Sequence, residues 1–495
     1  MQKTNFNFIP NIQNPSPDYF CTWQTQLYAT SDGKPAGQRR AMNEESMFSD
    51  KIPYGWTSFY EKARGDLFFV MDDSWDVPPN GNEKMYGSLA LDRRKFASFY
   101  EDSGSELAMK RRCERIRSLG WKGLGGWVCA QESPSPLEGD ECIAYWTERL
   151  RAAQNAGVRY WKVDWGAKAG SEEFRRMLSN IAHEVAPSLT VENAFNADFI
   201  SFSDVYRTYD VPAVMSIPMT MEKLAVVLEK AHYTGEAKSL VNCEDEAYAA
   251  AAGGFTMGIM RHPYCGNLPD GRADMSFPEC HRDLKRKTEE VLRAVRWHRI
   301  APAFAADKDS VTVSEKTLTD TWRLQNADAE IESWWLGMDA IKNCLNDGII
   351  TKTACSAMSR NMPLPQIAPD ENGEVPYAIA AKNPNGAVSA AFLARTNGRR
   401  YYTPRCDAVL DVQSADTVGL FGYFKSVTLK SLESTANARI YAQNLSDDFA
   451  YDITDNVYIN RNAVTIPFSS VEQICTAEDK SEPGLVIKIL KENTR

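Results

Sequence analysis

The segment Tyr160 to Gly166, YWKVDWG, places a lysine and an aspartate inside a short run of large apolar residues. Lys162 and Asp164 are two residues apart, so their side chains would lie on the same face of a strand. Opposite charges in apolar surroundings are costly to desolvate unless they are paired, hydrogen-bonded or functional. The segment therefore indicates either a structural ion pair or a reactive carboxylate whose charge the lysine maintains.

Further polar residues stand where predicted strands end. In a barrel of parallel strands the functional residues lie at the carboxyl ends of the strands. One end of such a barrel would hold a surplus of carboxylates, two cations and several indoles, with no histidine among them. The residues at these predicted strand ends are Trp23, Asp72, Asp73, Trp75, Lys162, Asp164, Glu192, Asn193, Arg207, Asp210, Glu244 and Asp245.

Glycoside hydrolysis is a chemistry that uses carboxylates and aromatic rings without histidine. A retaining enzyme needs two carboxyl groups about 5–5.5 Å apart, one as nucleophile and one as general acid and then base. Asp164 follows the fourth predicted strand and Asp210 the sixth, so the two can face each other across the barrel mouth. Lys162 would keep Asp164 ionised, as a nucleophile requires.

The surroundings of Asp210 suit an acid, because Tyr206, Tyr209 and Val211 flank it and an apolar site raises the pKa of a carboxyl group. The neighbouring Arg207 would work in the opposite direction. Indole rings could provide flat apolar surfaces for a sugar, although core packing is their default role. The candidates are Trp23, Trp75 and Trp127.

The elements that must position these residues alternate along the first three hundred positions. Short apolar runs, each read as a strand, are separated by stretches with apolar residues at helical spacing, and several of those stretches end in glycine. Eight strands with intervening helices predict a (β/α)8 barrel over residues 1–304, with a long excursion after the first strand. The predicted strands are YFCTWQTQ, LFFVMDDSW, WKGLGGWVCAQ, YWKVDWG, LTVENAF, DVYRTYDV, SLVNCED and FTMGIMRHP.

A long helix from His281 to about Ile300 is predicted to close the barrel. The pattern then changes to alternating apolar and polar residues with turn signals such as Asn-Gly, as in AIAAKNPNGAVSAAFLA. This pattern predicts a C-terminal antiparallel β-sandwich domain over residues 305–495. The segment from Ala340 to Glu374 carries no clear pattern.

Composition excludes several classes of protein. With a net charge of −10 over 495 residues, the chain has no general attraction to nucleic acid or to anionic membranes. It contains 11 cysteines without a CxxC pair and five histidines without a zinc spacing. We expect free thiols and no metal site. We expect a cytoplasmic protein, or an exported one whose signal has been removed.

Three motifs in order, MDDSW, WKVDWG and YRTYDV, resemble glycoside hydrolases of the α-galactosidase clan, families 27 and 36. The resemblance covers most of residues 15–300 in organisation, and it implies a barrel followed by a β-sandwich. Ser74 and Gly166 stand where family 27 usually has cysteine. The resemblance implies a carbohydrate substrate and no cofactor, whereas a homo-oligomer stays open.

The resemblance also implies roles for individual residues. Asp164 would be the nucleophile and Asp210 the acid and base, while Lys162 and Arg207 would bind sugar hydroxyls. The remaining implied substrate contacts are the galacto-type hydroxyl pair Asp72 and Asp73, the pocket wall Trp23 and Glu192 on strand five. Trp75 is a further candidate substrate contact because of its indole ring.

Other readings remain open. A same-clan enzyme could act on another sugar, as an α-N-acetylgalactosaminidase or a β-L-arabinopyranosidase. An enolase-like barrel could hold Mg²⁺ on Asp164, Glu192 and Glu244 or Asp245, with Lys162 as the base. A binding protein could keep the barrel without turnover.

Overall fold

The structure is a computed structural model with side chains. It describes residues 1–29, 39–50, 55–79, 87–101, 103–131, 137–208, 215–260, 288–323, 348–479 and 481–491. None of the helices within these ranges is both long and apolar enough to cross a membrane.

A closed barrel of eight parallel strands forms the first part of the chain, and each strand lies within one of the eight predicted segments. The predicted barrel is therefore confirmed. The ring closes where Tyr19 pairs with Gly258. After the short β1 (Gln2–Lys3), the barrel strands are β2 (Tyr19–Cys21), β3 (Phe68–Met71), β4 (Gly123–Val128), β5 (Tyr160–Val163), β6 (Thr190–Asn193), β7 (Val205–Arg207), β8 (Leu240–Glu244) and β9 (Thr256–Ile259).

The first barrel strand is shorter than expected. It ends at Cys21, because the carbonyl of Thr22 accepts the Gln26 N–H at 2.8 Å and starts a helix. Trp23 therefore begins a helix instead of ending a strand.

Helices pack around the barrel as their apolar periodicity predicts. Ser171 caps one of them by accepting the Phe174 N–H, and another ends at Gly157, whose φ of +89° suits glycine. The helices are α1 (Trp23–Ala29), α2 (Glu44–Phe48), α3 (Ala97–Tyr100), α4 (Ser105–Ser118), α5 (Gly139–Ala156), α6 (Glu172–Val185), α7 (Ser216–Lys230), α8 (Ala247–Gly253) and α9 (Thr288–Ile300). The predicted final helix is confirmed from Thr288, whereas residues 281–287 lie outside the described residues.

The C-terminal part contains a nine-stranded sheet facing a five-stranded sheet, with an apolar core of side chains from both. The predicted β-sandwich is confirmed. Most pairs are antiparallel, while β13–β15, β16–β20 and β19–β21 are parallel. The strands are β10 (Val311–Val313), β11 (Thr317–Arg323), β12 (Ile349–Cys355), β13 (Ala357–Arg360), β14 (Gln366–Ala368), β15 (Tyr377–Lys382), β16 (Val388–Leu393), β17 (Arg395–Asn397), β18 (Arg400–Tyr402), β19 (Asp407–Gln413), β20 (Thr417–Phe421), β21 (Ser426–Ser431), β22 (Ala438–Asn444), β23 (Tyr451–Asp452), β24 (Tyr458–Asn460), β25 (Ala463–Pro467) and β26 (Gly484–Lys491).

The two parts of the chain share an extensive interface. β1 adds to the edge of the nine-stranded sheet at β23, so the first residues belong structurally with the C-terminal strands. The face of the nine-stranded sheet that points away from the five-stranded sheet packs against α8 and α9. There the rings of Tyr248 and Phe421 lie 5.1 Å apart. The division at residue 304 remains a prediction.

Candidate active site

The barrel interior holds charged side chains because the strands alternate. Along each strand every second residue faces inward. This period brings Lys162 on β5, Glu192 on β6, Arg207 on β7 and Glu244 on β8 into one buried cluster. Asp72 and Asp164 join it just beyond the ends of β3 and β5. This cluster of six side chains is called the barrel cluster below.

Lys162 connects two aspartates at one side of the barrel cluster. Its Nζ lies 2.6 Å from Asp72 Oδ2 and 3.5 Å from Asp164 Oδ2. Burial by itself would lower the pKa of Lys162, but the negative charges of Asp72 and Asp164, together with the Cys21 thiol, outweigh this effect and the pKa is raised. The Cys21 thiol also donates to Asp72 at 2.9 Å. Lys162 is therefore a fixed cation.

Asp164 is held ionised from three directions. Arg207 Nη2 lies 2.9 Å from one carboxylate oxygen, and the Trp127 indole N–H donates to the other at 2.9 Å. Burial by itself raises the pKa of Asp164, but Arg207, Lys162 and Trp127 together lower it to about 2. At 7% exposure, the Asp164 side chain is also the most accessible member of the barrel cluster.

Arg207 is the centre of the barrel cluster. Besides Asp164, its guanidinium contacts Glu192 at 3.1 Å and Glu244 at 2.7 Å. The side chain is 1% exposed, and these three carboxylates raise its pKa against the effect of burial. In this arrangement the guanidinium is surrounded by protein carboxylates, whereas the resemblance implied a direct contact with sugar hydroxyls.

Glu192 contacts Arg207 and accepts hydrogen bonds from three further side chains. Tyr160 donates to it at 2.7 Å, Asn242 at 2.7 Å and Tyr19 at 3.2 Å. Complete burial raises the pKa of Glu192 despite these donors. Glu192 therefore orients Arg207 from below.

A second buried polar group lies beside the barrel cluster, after β3. Asp73 lies 3.8 Å from Arg39 Nε and accepts a hydrogen bond from Ser74, and burial raises its pKa to about 6. Burial likewise raises the pKa of Asp76 to about 7, although the Leu89 N–H donates to it. Asp72 and Asp73, which were predicted to act as a pair, therefore have different partners. Asp72 contacts Lys162 and Cys21, whereas Asp73 contacts Arg39 and Ser74.

The remaining predicted residues are distributed as follows. Trp23 is half-buried at the start of α1 and packs against the interior cluster that includes Tyr19. Trp75 is buried, its N–H donates to the Trp127 carbonyl, and its ring lies against Gly126 in the barrel wall. Asp210 lies outside the described residues.

Several buried partners were absent from the predicted site. They are Tyr19, Cys21, Tyr160 and Asn242, each of which hydrogen-bonds a member of the barrel cluster. The sequence could have indicated these residues, because the alternation along each strand turns their side chains inward, as it does for the barrel cluster. From the sequence alone, the two tyrosines resemble ordinary core residues, because their hydrogen bonds to Glu192 become visible only in the structure.

The barrel cluster combines four carboxylates with two cations. An excess of negative charge in a buried site stabilises a cation that develops next to it. The transition state of glycoside hydrolysis has oxocarbenium character. The arrangement therefore suits chemistry in which a neutral substrate acquires positive charge beside Asp164.

Comparisons with known proteins were made at three levels. No family model and no curated protein matches the chain. Among solved structures, the chain is similar to a variant of a family 27 β-L-arabinopyranosidase from Geobacillus stearothermophilus, in complex with arabinose. The sequence identity is 10%, the match covers 97% of both chains, and the TM-score is 0.44.

Two further structures illustrate the range of similar proteins. A candidate α-galactosidase from Bacteroides fragilis matches at 10% identity over 97% of this chain and 79% of its own, with a TM-score of 0.43. An α-amylase from Geobacillus thermoleovorans, complexed with acarbose, matches at 8% identity over 98% and 100%, with a TM-score of 0.44. These similarities concern the overall fold, and one barrel fold hosts many chemistries. The function must therefore be argued from the site.

Proposed function

We propose that this chain is a retaining glycoside hydrolase that removes terminal α-galactoside-type residues, with Asp164 as the nucleophile and Asp210 as the acid and base. The observation that carries the proposal is the state of Asp164. It is a carboxylate at the carboxyl end of a barrel strand, kept ionised by Arg207, Lys162 and the Trp127 N–H.

The first step forms a bond between an Asp164 oxygen and the anomeric carbon of the sugar. The bond from that carbon to the leaving-group oxygen breaks, and its electron pair stays with the oxygen, which takes the proton of Asp210. As positive charge develops on the sugar, the surplus carboxylates of the barrel cluster stabilise it.

The second step reverses the roles. The Asp210 carboxylate takes a proton from water while the water oxygen attacks the anomeric carbon, and the bond to Asp164 breaks. Asp164 regains its negative charge beside Arg207. Two inversions at the anomeric carbon leave the product sugar with the configuration of the substrate.

The choice of sugar rests on the resemblance at Asp72 and Asp73. Asp72 is fixed by Lys162 and Cys21, so it can offer a sugar hydroxyl a preorganised acceptor. An α-N-acetylgalactosaminide and a β-L-arabinopyranoside differ from an α-galactoside in substituents around the ring. They remain the alternative substrates.

The enolase-like alternative fits the geometry less well. Its carboxylates Asp164, Glu192 and Glu244 all contact the guanidinium of Arg207. Its base, Lys162, has a raised pKa, whereas a lysine that abstracts a proton near neutral pH needs a lowered one. No group of three or more acidic, histidine or cysteine residues within the described ranges has the geometry to hold a metal ion.

The test is hydrolysis of four aryl glycosides: an α-galactoside, an α-N-acetylgalactosaminide, a β-L-arabinopyranoside and an α-glucoside. Wild type, Asp164→Asn and Asp210→Asn are compared with and without a chelator. Asp455→Asn is the matched control, because Asp455 is an exposed carboxylate in the C-terminal part. The proposal expects the α-galactoside to be cleaved with the chelator present, and both active-site variants to lose activity. Cleavage of the α-N-acetylgalactosaminide or the β-L-arabinopyranoside instead would identify one of the alternative substrates, whereas cleavage of the α-glucoside alone contradicts the proposed sugar. Turnover that needs a divalent metal, or no turnover of any glycoside, contradicts the proposal.

A further inference from the structure

Two large aromatic side chains are exposed at the barrel mouth, next to the proposed nucleophile. Trp165 follows Asp164 directly and is 43% exposed, and Phe195 after β6 is also 43% exposed. Two exposed aromatic rings near one site can mark a ligand-binding surface.

Trp165 and Phe195 follow the ends of two neighbouring strands of the barrel. In the parallel pair β5–β6, Lys162 is opposite Glu192. β5 ends at Val163 and β6 at Asn193, so Trp165 and Phe195 each lie two residues beyond the carboxyl end of their strand. Both residues therefore lie at the mouth of the barrel, where Asp164 is also located.

Trp165 is held by backbone contacts. The Ala130 N–H donates to its carbonyl at 3.0 Å, and Gly166 follows with a φ of +149°. A Cβ at Gly166 would lie 2.4 Å from the Ala130 carbonyl oxygen, so only glycine allows this turn. The indole also meets the ring of Trp127 at 6.4 Å in an edge-to-face arrangement, and Trp127 is the donor to Asp164.

Phe195 is positioned through Arg175, which is fully buried. The Arg175 guanidinium donates to the Asp164 carbonyl at 2.6 Å and to Asn193 Oδ1 at 3.0 Å, so it joins the ends of β5 and β6. It also lies 5.5 Å from the Phe195 ring. Phe195 has a φ of +80°, a strained value for a bulky residue that the surrounding structure must maintain.

We propose that Trp165 and Phe195 form the binding site for a sugar ring on the leaving-group side of the scissile bond. The inference rests on the proposed function, and it specifies the substrate as an oligosaccharide or glycoconjugate with a second sugar next to the cleaved residue. The apolar C–H face of that sugar packs on the indole, as saturated rings do on aromatic surfaces. The terminal sugar occupies the barrel beneath, at Asp164 and the barrel cluster.

The test compares two substrates of the same terminal sugar. One is a disaccharide, which carries a second ring, and the other is the glycosyl fluoride, whose leaving group has none. The readout is the ratio of kcat/KM for the disaccharide to kcat/KM for the fluoride. A role confined to folding or to positioning Asp164 lowers both values together and leaves the ratio unmoved.

We expect Trp165→Ala to lower this ratio about 10-fold. Trp165→Phe keeps an aromatic surface and restores most of the ratio, and Phe195→Ala gives a smaller decrease than Trp165→Ala. The matched control is Tyr458→Ala, which removes a ring that is 70% exposed on β24, away from the barrel. It leaves the ratio at the wild-type value.

Two different failures are distinguishable. If wild type hydrolyses both compounds and Trp165→Ala leaves their ratio unchanged, the leaving-group site is wrong and the proposed function stands. If wild type hydrolyses neither compound, the proposed function fails and the leaving-group site fails with it.

Discussion

Replacing Arg207 by methionine is the most informative perturbation of the barrel cluster. Arg207 is 1% exposed and contacts Asp164, Glu192 and Glu244 at 2.7 to 3.1 Å. Methionine fills a similar volume but leaves three buried carboxylates without their common cation. The substitution therefore tests both the stability of the barrel and the ionisation of the proposed nucleophile.

The expected loss of stability is about 3–5 kcal/mol at neutral pH, the usual result of removing one partner from a buried ion pair. The effect on Asp164 follows from its pKa. The present value of about 2 lies below the ordinary 3.8, so Asp164 stabilises the fold above pH 3.8, by about 2 kcal/mol, and this contribution is lost as the pH falls toward 2. Without Arg207 the effect of burial dominates and the pKa of Asp164 rises. The acidic limb of kcat/KM should then move to higher pH.

Urea unfolding at several pH values and the pH profile of kcat/KM measure these two effects. Arg207→Lys keeps the charge but cannot reach three carboxylates, so it should fall between wild type and Arg207→Met. Arg176→Met is the control, because the pair of Arg176 with Glu172 is exposed and should contribute less than about 1 kcal/mol. A loss under about 1 kcal/mol for Arg207→Met, with an unmoved acidic limb, would refute this account of the barrel cluster.

Two further predictions concern buried charges outside the barrel cluster. The pKa of Asp76 is raised from 3.8 to about 7. In urea unfolding, the stability of wild type relative to Asp76→Asn should therefore fall by about 1.4 kcal/mol per pH unit as the pH rises between these values. A stability difference that does not depend on pH contradicts this. Arg360 donates to the carbonyls of Gly253, Gly254, Phe304 and Ala305 and so joins the barrel to the C-terminal sheets. Arg360→Met should lower the free energy of unfolding by about 3 kcal/mol, and calorimetry should still show a single unfolding transition. An unchanged melting temperature would show that this junction contributes little to stability.

The barrel could be predicted from the sequence because each strand is a short apolar run bounded by helices with their own period. Thr256–Ile259 and Gly123–Val128, for example, lie well inside their predicted segments. The end of the first strand could not be predicted, because the helix that begins at Trp23 depends on a hydrogen bond within the turn. The addition of Gln2–Lys3 to a sheet more than 400 residues away depends on tertiary packing alone.

The site was predicted in its residue types but not in its contacts. The pairing of Lys162 with Asp164 followed from their spacing of two, and the structure adds Asp72 as the closer partner at 2.6 Å. The position of Arg207 among three carboxylates depends on the register of four strands, which no local pattern contains. The role of Asp210 remains a prediction from the sequence.

The central claim is that Asp164 attacks the sugar. The direct measurement uses a fluorosugar that glycosylates the enzyme quickly and is released slowly, carrying the sugar identified with the aryl glycosides, followed by digestion and peptide mass mapping. The account predicts one fluorosugar per chain, in ester linkage to Asp164, and no adduct on Asp164→Asn. An adduct on a different carboxylate, or turnover that inverts the anomeric configuration without any adduct, would contradict it.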